Sequence, residues 1–232
     1  MEVHSFILSE FRLLDIRNSK AKLITPEGNK SVTVTLGNFI GKGAMNSAFH
    51  LKIKDDPKKY VVKVPLKYRM TSEAMVEDCS IIIFEIAKKM ANCFNSRGVP
   101  KKVKINIPSL LILEDLRFRM AVVEEFLEGD YVKYNNNKGW VDDNRNTPNA
   151  FSHFSFIASK GQILIADIQG VGHYYTDIQI HYHNPEEFGQ GNLSHLGIVA
   201  FFQNHKCNPI CEQLGIATEV KIKTGTYPKG FY

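Results

Sequence analysis

No apolar run in these 232 residues approaches the roughly 20 that a helix needs to cross a bilayer; the longest, such as Ile81–Phe84, are a handful of residues. A membrane span is therefore not expected. The opening stretch MEVHSFILSEFRLLDIR carries Glu2, Glu10 and Arg12 where a secretion signal would need an unbroken apolar centre, so no such signal is expected either. Cysteine is scarce at four, and without a secretory signal the pattern implies a reducing compartment, by default the cytoplasm, where paired cysteines bind metal more often than they form disulfides. Biased tracts are missing apart from Asn135–Asn137, and no internal repeat is present. The charge imbalance is slight: 29 Lys and Arg against 24 Asp and Glu leave +5. Such a bias suits a phosphate-bearing partner but does not separate ATP from nucleic acid or an acidic protein surface. Clusters of basic residues interleaved with aromatics are lacking outside the DDPKK and PKKVK loops, so nucleic-acid binding is not expected.

What is there reads as a folded α+β chain. A hydrophobic fraction of 44% over this length supports one large domain or two small lobes. Residues 1–40 read as short strands around a Pro26–Gly28 turn, followed by the alternating SVTVTL. The small-residue loop GKGAMNSAF, beginning at Gly41 and Gly43, lets backbone approach a ligand and offers amides to phosphate oxygens, although a plain hairpin turn uses the same residues. In YVVKVP, Lys63 stands amid valines, and it either snorkels from an edge strand or meets an anion. From Ser72 to Asn95, Met75, Cys79, Ile82, Ile83, Ile86 and Met90 recur at helical spacing. Glu85 lies among them, either exposed or paired with a cation, for which Lys63 is the candidate. Strands follow at 103–107, 110–114 and 119–126, then a polar connector and an exposed link over 138–149. Cys79 and Cys93 read as core.

Two stretches carry chemistry. In ILIADIQGVGHYYTDIQIH an apolar strand delivers Asp167 to a turn at Gly170 and Gly172, with a second acid at Asp177. Carboxylates at a glycine-lined strand end suit a base or a hard cation, while a lone aspartate there also opens ordinary turns. In HKCNPIC, His205, Cys207 and Cys211 supply three ligands suited to zinc, the two cysteines being one helical turn apart. His153, His173, His181, His183 and His195 are candidates for a fourth. Free cysteines in the core are the alternative. A second glycine loop, FGQGNLSHLG, precedes an apolar helix over 196–204.

Taken in order, GKGAMNSAF, VVKVP, VEEFLEGDYVKYNNNKG, FSHF, DIQGVGHYYTDIQIH, FGQGNL and HKCNPIC resemble the catalytic domain of the α-kinase family over roughly residues 37–217. The resemblance implies a two-lobed, protein-kinase-like α+β fold. An N-lobe over about 1–126 would hold an antiparallel sheet plus a helix, and a C-lobe over about 127–232 would be mixed and carry a structural zinc site. It implies ATP-dependent phosphorylation of Ser/Thr in protein substrates, with ATP, Mg²⁺ and Zn²⁺ as cofactors, within a longer multidomain protein. A pseudokinase or nucleotide-binding scaffold is the alternative. By resemblance, Gly41, Gly43, Ala44, Met45 and Asn46 form the phosphate loop, Lys63 contacts phosphates, and Glu85 is its helix partner. Glu124 and Phe126 belong to the connector that holds adenine, and Lys133 and Asn137 line the nucleotide pocket. Asp167 is the catalytic aspartate, and Gln169 and Asp177 are the magnesium ligands. Gly189, Gly191 and Asn192 form a substrate loop, and zinc falls to His153, His205, Cys207 and Cys211. Three positions depart from the family pattern: Ile178 for a proline, Ser194 for the last glycine of the substrate loop and Asn46 for an arginine.

Overall fold

The computed structural model describes residues 18–43, 45–66, 73–113 and 120–217. Ala44, Ser72 and the side chains of Met75 and Cys79 fall outside the described set. The chain divides into two compact units, one formed by residues up to Ile81 with Asn106–Glu128, the other by Ile82–Ile105 with Gly129 onward. Residues 82–105, expected with the first lobe, therefore cluster with the second unit.

In the first unit β1 (Ser19–Thr25), β2 (Gly28–Lys42), β3 (Asn46–Ile53), β4 (Tyr60–Pro65), β6 (Ser109–Leu113) and β7 (Met120–Glu125) form a closed antiparallel barrel in the order β1-β2-β3-β4-β7-β6. The expected antiparallel sheet closes on itself through β1 and β6, which removes its edges. The period-2 pattern points Ala21, Leu23, Val34, Leu51, Ile53, Val62, Val64, Leu111 and Val123 into one apolar core. The long β2 keeps pace with β3 only through irregularities between Leu36 and Phe39 and between Phe39 and Gly41, which bend it.

The second unit takes in the C-terminal half of α1 (Glu73–Asn95), where Ile83, Phe84, Ala87, Ala91 and Phe94 are buried at helical spacing. Of the face expected from the sequence, Ile83 is buried whereas Ile82 is 41% exposed. Phe94 meets Phe151 and Phe154 edge-on. Both belong to α2 (Asn146–Ala158), a helix without an amphipathic signal, because Pro148 to Phe156 are buried without a break, polar Asn149, Ser152, His153 and Ser155 among them. The expected exposed link therefore ends at Arg145. Cys93 is exposed rather than core.

Two sheets carry the chemistry. One runs β5 (Lys104–Ile105), β11 (Tyr174–Thr176), β10 (Gln169–Val171), β8 (Tyr131–Lys133), and the other pairs β9 (Ile163–Ala166) with β12 (Gln179–Tyr182). Helices α3 (Ser194–Asn204) and α4 (Pro209–Gln213) follow. None of the described helices is long and apolar enough to cross a membrane.

Candidate active site

Asp167, Gln169 and Asp177 are brought together by two ladders that share one stretch of chain. In the β9–β12 pair Ala166 faces Gln179, so Asp167 follows the last β9 residue and Asp177 stands two residues before β12 at the same end. In the β10–β11 pair Gln169 faces Thr176, the residue before Asp177. Each acid sits where the chain leaves one ladder for the other, and each adopts φ +58°, a left-handed conformation that aspartate tolerates better than most residues. Of the two glycines expected at the turn, Gly172 lies in it, with His173. Gly170 lies within β10 with φ +149°, and a Cβ there would lie 2.0 Å from the Tyr174 carbonyl oxygen.

Lys133 faces Gln169 across the β8–β10 ladder, which lets its ammonium reach Asp167 Oδ1 at 2.7 Å. Burial pushes the Asp167 carboxyl above the ordinary range, Lys133 pulls it back, and nearby Asp177 adds to the rise. Gln169 is nearly buried and donates from Nε2 to the Asp167 carbonyl at 3.1 Å. The loop is held from beneath by Asn135, which is fully buried. Its Oδ1 accepts from the Ile168 amide at 2.9 Å and its Nδ2 donates to Asn149 Oδ1 and Ser152 Oγ. Sequence reasoning passed over Asn135 because it sits in a polar tract expected to stay exposed.

In the first unit Lys63 lies on β4, between β3 and β7, with Val62 and Val64 turned into the barrel. Its ammonium meets Glu124 Oε1 at 2.8 Å, with side-chain exposures of 15% and 5%. Glu124 is therefore an acid held on Lys63, and Glu85 is exposed on α1. The hairpin between β2 and β3 is tight, with the Gly43 amide donating to the Asn46 carbonyl. A Cβ at Gly41 would meet nothing within 4 Å, so packing does not demand glycine there and the surface is open to a ligand. Met45 is 43% exposed at the same tip. The Phe126 amide donates to the Lys59 carbonyl at 2.8 Å, so this amide is not an open donor for adenine.

The substrate loop is anchored more than it is open. Asn192, 6% exposed, uses its side chain entirely within the protein. The Gln179 amide lies against Gly191, where any Cβ would collide with it. Asn137, expected at the nucleotide, reaches the Gly191 carbonyl at 3.4 Å. Ser194 has φ +51°, which explains a family glycine here, and its hydroxyl donates to the His183 carbonyl at 2.7 Å. Ile178 is buried at 1% exposure.

His153, His205, Cys207 and Cys211 bring one ligand atom each within 4.8 Å of one another. Asn208 caps α4 and Cys207 precedes it, so only Cys211 sits in the helical turn expected to hold both sulfurs. His153 Nδ1 is 3.2 Å from His205 Nε2, and each nitrogen has a cysteine sulfur at 3.7 Å. A tetrahedral zinc with ordinary bond lengths has N–N and N–S edges of about 3.3–3.6 Å, so the four donors fit that ion. Burial pushes both imidazoles down to about 4, which keeps them neutral and able to ligate, and pushes the Cys211 thiol up to about 11. His173 and His183, the other open candidates with His181 and His195, lie outside this group.

Residues 41–211 match the Alpha-kinase family. The chain is 37% identical over 208 residues to alpha-protein kinase 1 of Dictyostelium discoideum, covering 86% of this chain and 15% of that protein. It is 38% identical over 228 residues to eukaryotic elongation factor 2 kinase of Rattus norvegicus, covering 90% and 31%. It spans less than a third of the length of either. Among solved structures, the α-kinase domain of myosin heavy chain kinase A in complex with ADP superposes with a TM-score of 0.77 at 27% identity, covering 86% of this chain and 97% of that one. The chain belongs to the α-kinase family of ATP-dependent protein kinases.

Proposed function

We propose that this chain transfers the γ-phosphate of ATP to a Ser or Thr hydroxyl of a protein substrate. The observation that carries this reading is the convergence of Asp167, Gln169 and Asp177 at one end of the β9–β12 pair, with Lys133 on Asp167. Phosphoryl transfer asks a protein for positioning and charge neutralisation. Lys63, held by Glu124, supplies positive charge to the phosphates, and the Gly41–Asn46 hairpin covers them. Adenine lies against the connector at Glu124–Phe126. Asp167 orients the acceptor hydroxyl and takes its proton as the oxygen bonds to the γ-phosphorus. The bond from that phosphorus to the β,γ-bridging oxygen breaks, and ADP leaves with the electron pair. The raised affinity of Asp167 for a proton favours this step. Gln169 and Asp177 would hold a magnesium ion, which neutralises phosphate charge when bound with ATP. A pseudokinase is not favoured, because each group that the chemistry needs is present.

Zinc at His153, His205, Cys207 and Cys211 is structural, since four protein donors leave no open position. Cys207 and Cys211 form no disulfide, which suits a reducing compartment, and we place the protein in the cytoplasm as part of a longer multidomain chain. The reading is tested by measuring nucleotide affinity and transfer together. Gln169→Ala and Asp177→Ala are expected to lose transfer and magnesium-dependent ATP binding while still folding. Unchanged magnesium dependence in both would contradict it.

A further inference from the structure

His181 is fully buried, lies outside the His/Cys group and has no part in the phosphoryl-transfer machinery. On β12 it faces Leu164 of β9. Its Nδ1 accepts the Leu193 amide at 3.1 Å, which fixes the proton on Nε2. The ring also meets the Asn137 backbone, whose hydrogen bond favours the protonated imidazole and opposes the effect of burial. Burial pushes the imidazole down to about 4, so the accepting nitrogen is free at neutral pH. Room for the ring comes from Gly197 on α3, where a Cβ would lie 2.4 Å from Nε2. Glycine is a poor residue inside a helix, so the ring's space accounts for its presence there.

The contact is one of three in sequence. Leu193 is bonded to His181, Asn192 to the Tyr182 amide at 3.0 Å, and Ser194 to the His183 carbonyl at 2.7 Å. Three successive residues that close the glycine loop are thereby fastened to the last two residues of β12 and the one after it. That strand begins two residues after Asp177 and faces Ala166, the residue before Asp167. Asn192 also binds the Asn184 and Glu187 carbonyls, closing the segment between the two triplets.

We propose that His181 is a positioning residue for the protein substrate: by holding Leu193 it sets the glycine loop at 189–192 in register with the catalytic aspartates. This rests on the reading that the loop meets the acceptor. The acceptor then depends on His181 while ATP does not.

The test compares His181→Leu, which removes the acceptor nitrogen, with His181→Asn, whose Oδ1 can replace it, using ATP and a basic threonine-containing peptide. Losing the hydrogen bond is expected to raise KM for the peptide about tenfold in His181→Leu, with kcat and KM for ATP within about twofold, and His181→Asn should recover most of the loss. Gly197→Ala, which crowds the ring from α3, should reproduce the peptide defect. Hydrogen exchange over 189–194 should quicken about tenfold in His181→Leu. Equal rises in both KM values, no rescue by asparagine, or unchanged exchange in a folded variant would overturn the proposal. Faster exchange with an unchanged peptide KM would instead remove the loop from the acceptor site, and the positioning role with it. A wild-type chain that transfers nothing would sink the kinase reading, and exchange at Leu193 would still decide the latch.

Discussion

Asp167 is shaped by opposing influences on one carboxylate: burial and Asp177 raise its proton affinity, while Lys133 at 2.7 Å lowers it. Lys133→Met removes the only lowering cation among those influences. The Asp167 pKa should rise, and the acidic limb of the kcat/KM profile should move to higher pH. A profile that stays in place would show that Lys133 does not tune the base. Asn135 works through hydrogen bonds. Asn135→Ala leaves the Ile168 amide buried without its acceptor and should cost about 2–3 kcal/mol in chemical denaturation, with a loss of kcat as the 167–168 segment loosens. Residues of this kind hide in a sequence, because nothing distinguishes a buried asparagine with every bond made from its solvated neighbours. Asp167 and the His/Cys group are legible because their spacing carries the chemistry.

The two short ladders show what a hairpin needs at the scale of an element. Gly170 lies within β10 against the Tyr174 carbonyl, so Gly170→Ala meets both a collision and a disfavoured φ. We expect a loss of about 3 kcal/mol or more, read as a lowered denaturation midpoint, together with loss of transfer as Gln169 and Asp177 part. Strands such as β3 and β4 were readable from alternation, since one face of each meets the barrel core. Barrel closure was not, because the β1–β6 pairing joins residues about 90 positions apart and leaves no local mark. Helix α2 escaped for another reason: it is buried along Pro148–Phe156 with Asn149, Ser152, His153 and Ser155 interleaved among the apolar residues, so no apolar stripe at helical spacing stands out.

For the whole molecule, a buried imidazole makes stability depend on pH. His181, which lies outside the His/Cys group, has a folded value of about 4 against an ordinary 6.5. The unfolded chain therefore binds its proton first, so this contribution to stability is complete above about pH 6.5 and is lost as pH falls toward 4. Thermal melts of the wild type and of His181→Leu between pH 7.5 and 4.5 should differ in slope, with the steeper fall in the wild type, and equal slopes would contradict the burial of this ring. The purified protein should also carry about one zinc per chain, and chelation should lower its melting temperature by several degrees or more. Metal analysis showing no zinc, or a chelator that leaves the melt unchanged, would remove the structural role given to the His/Cys group.

The account turns on Asp167. The most direct measurement supplies γ-labelled ATP and magnesium with a mixture of serine- and threonine-containing proteins, and compares the wild-type chain with Asp167→Asn. The wild type should place label on Ser or Thr hydroxyls. The variant, folded and still binding nucleotide, should fall by at least about a hundredfold. Equal labelling by the two proteins, or ATP hydrolysis with no label on any hydroxyl, would contradict the account.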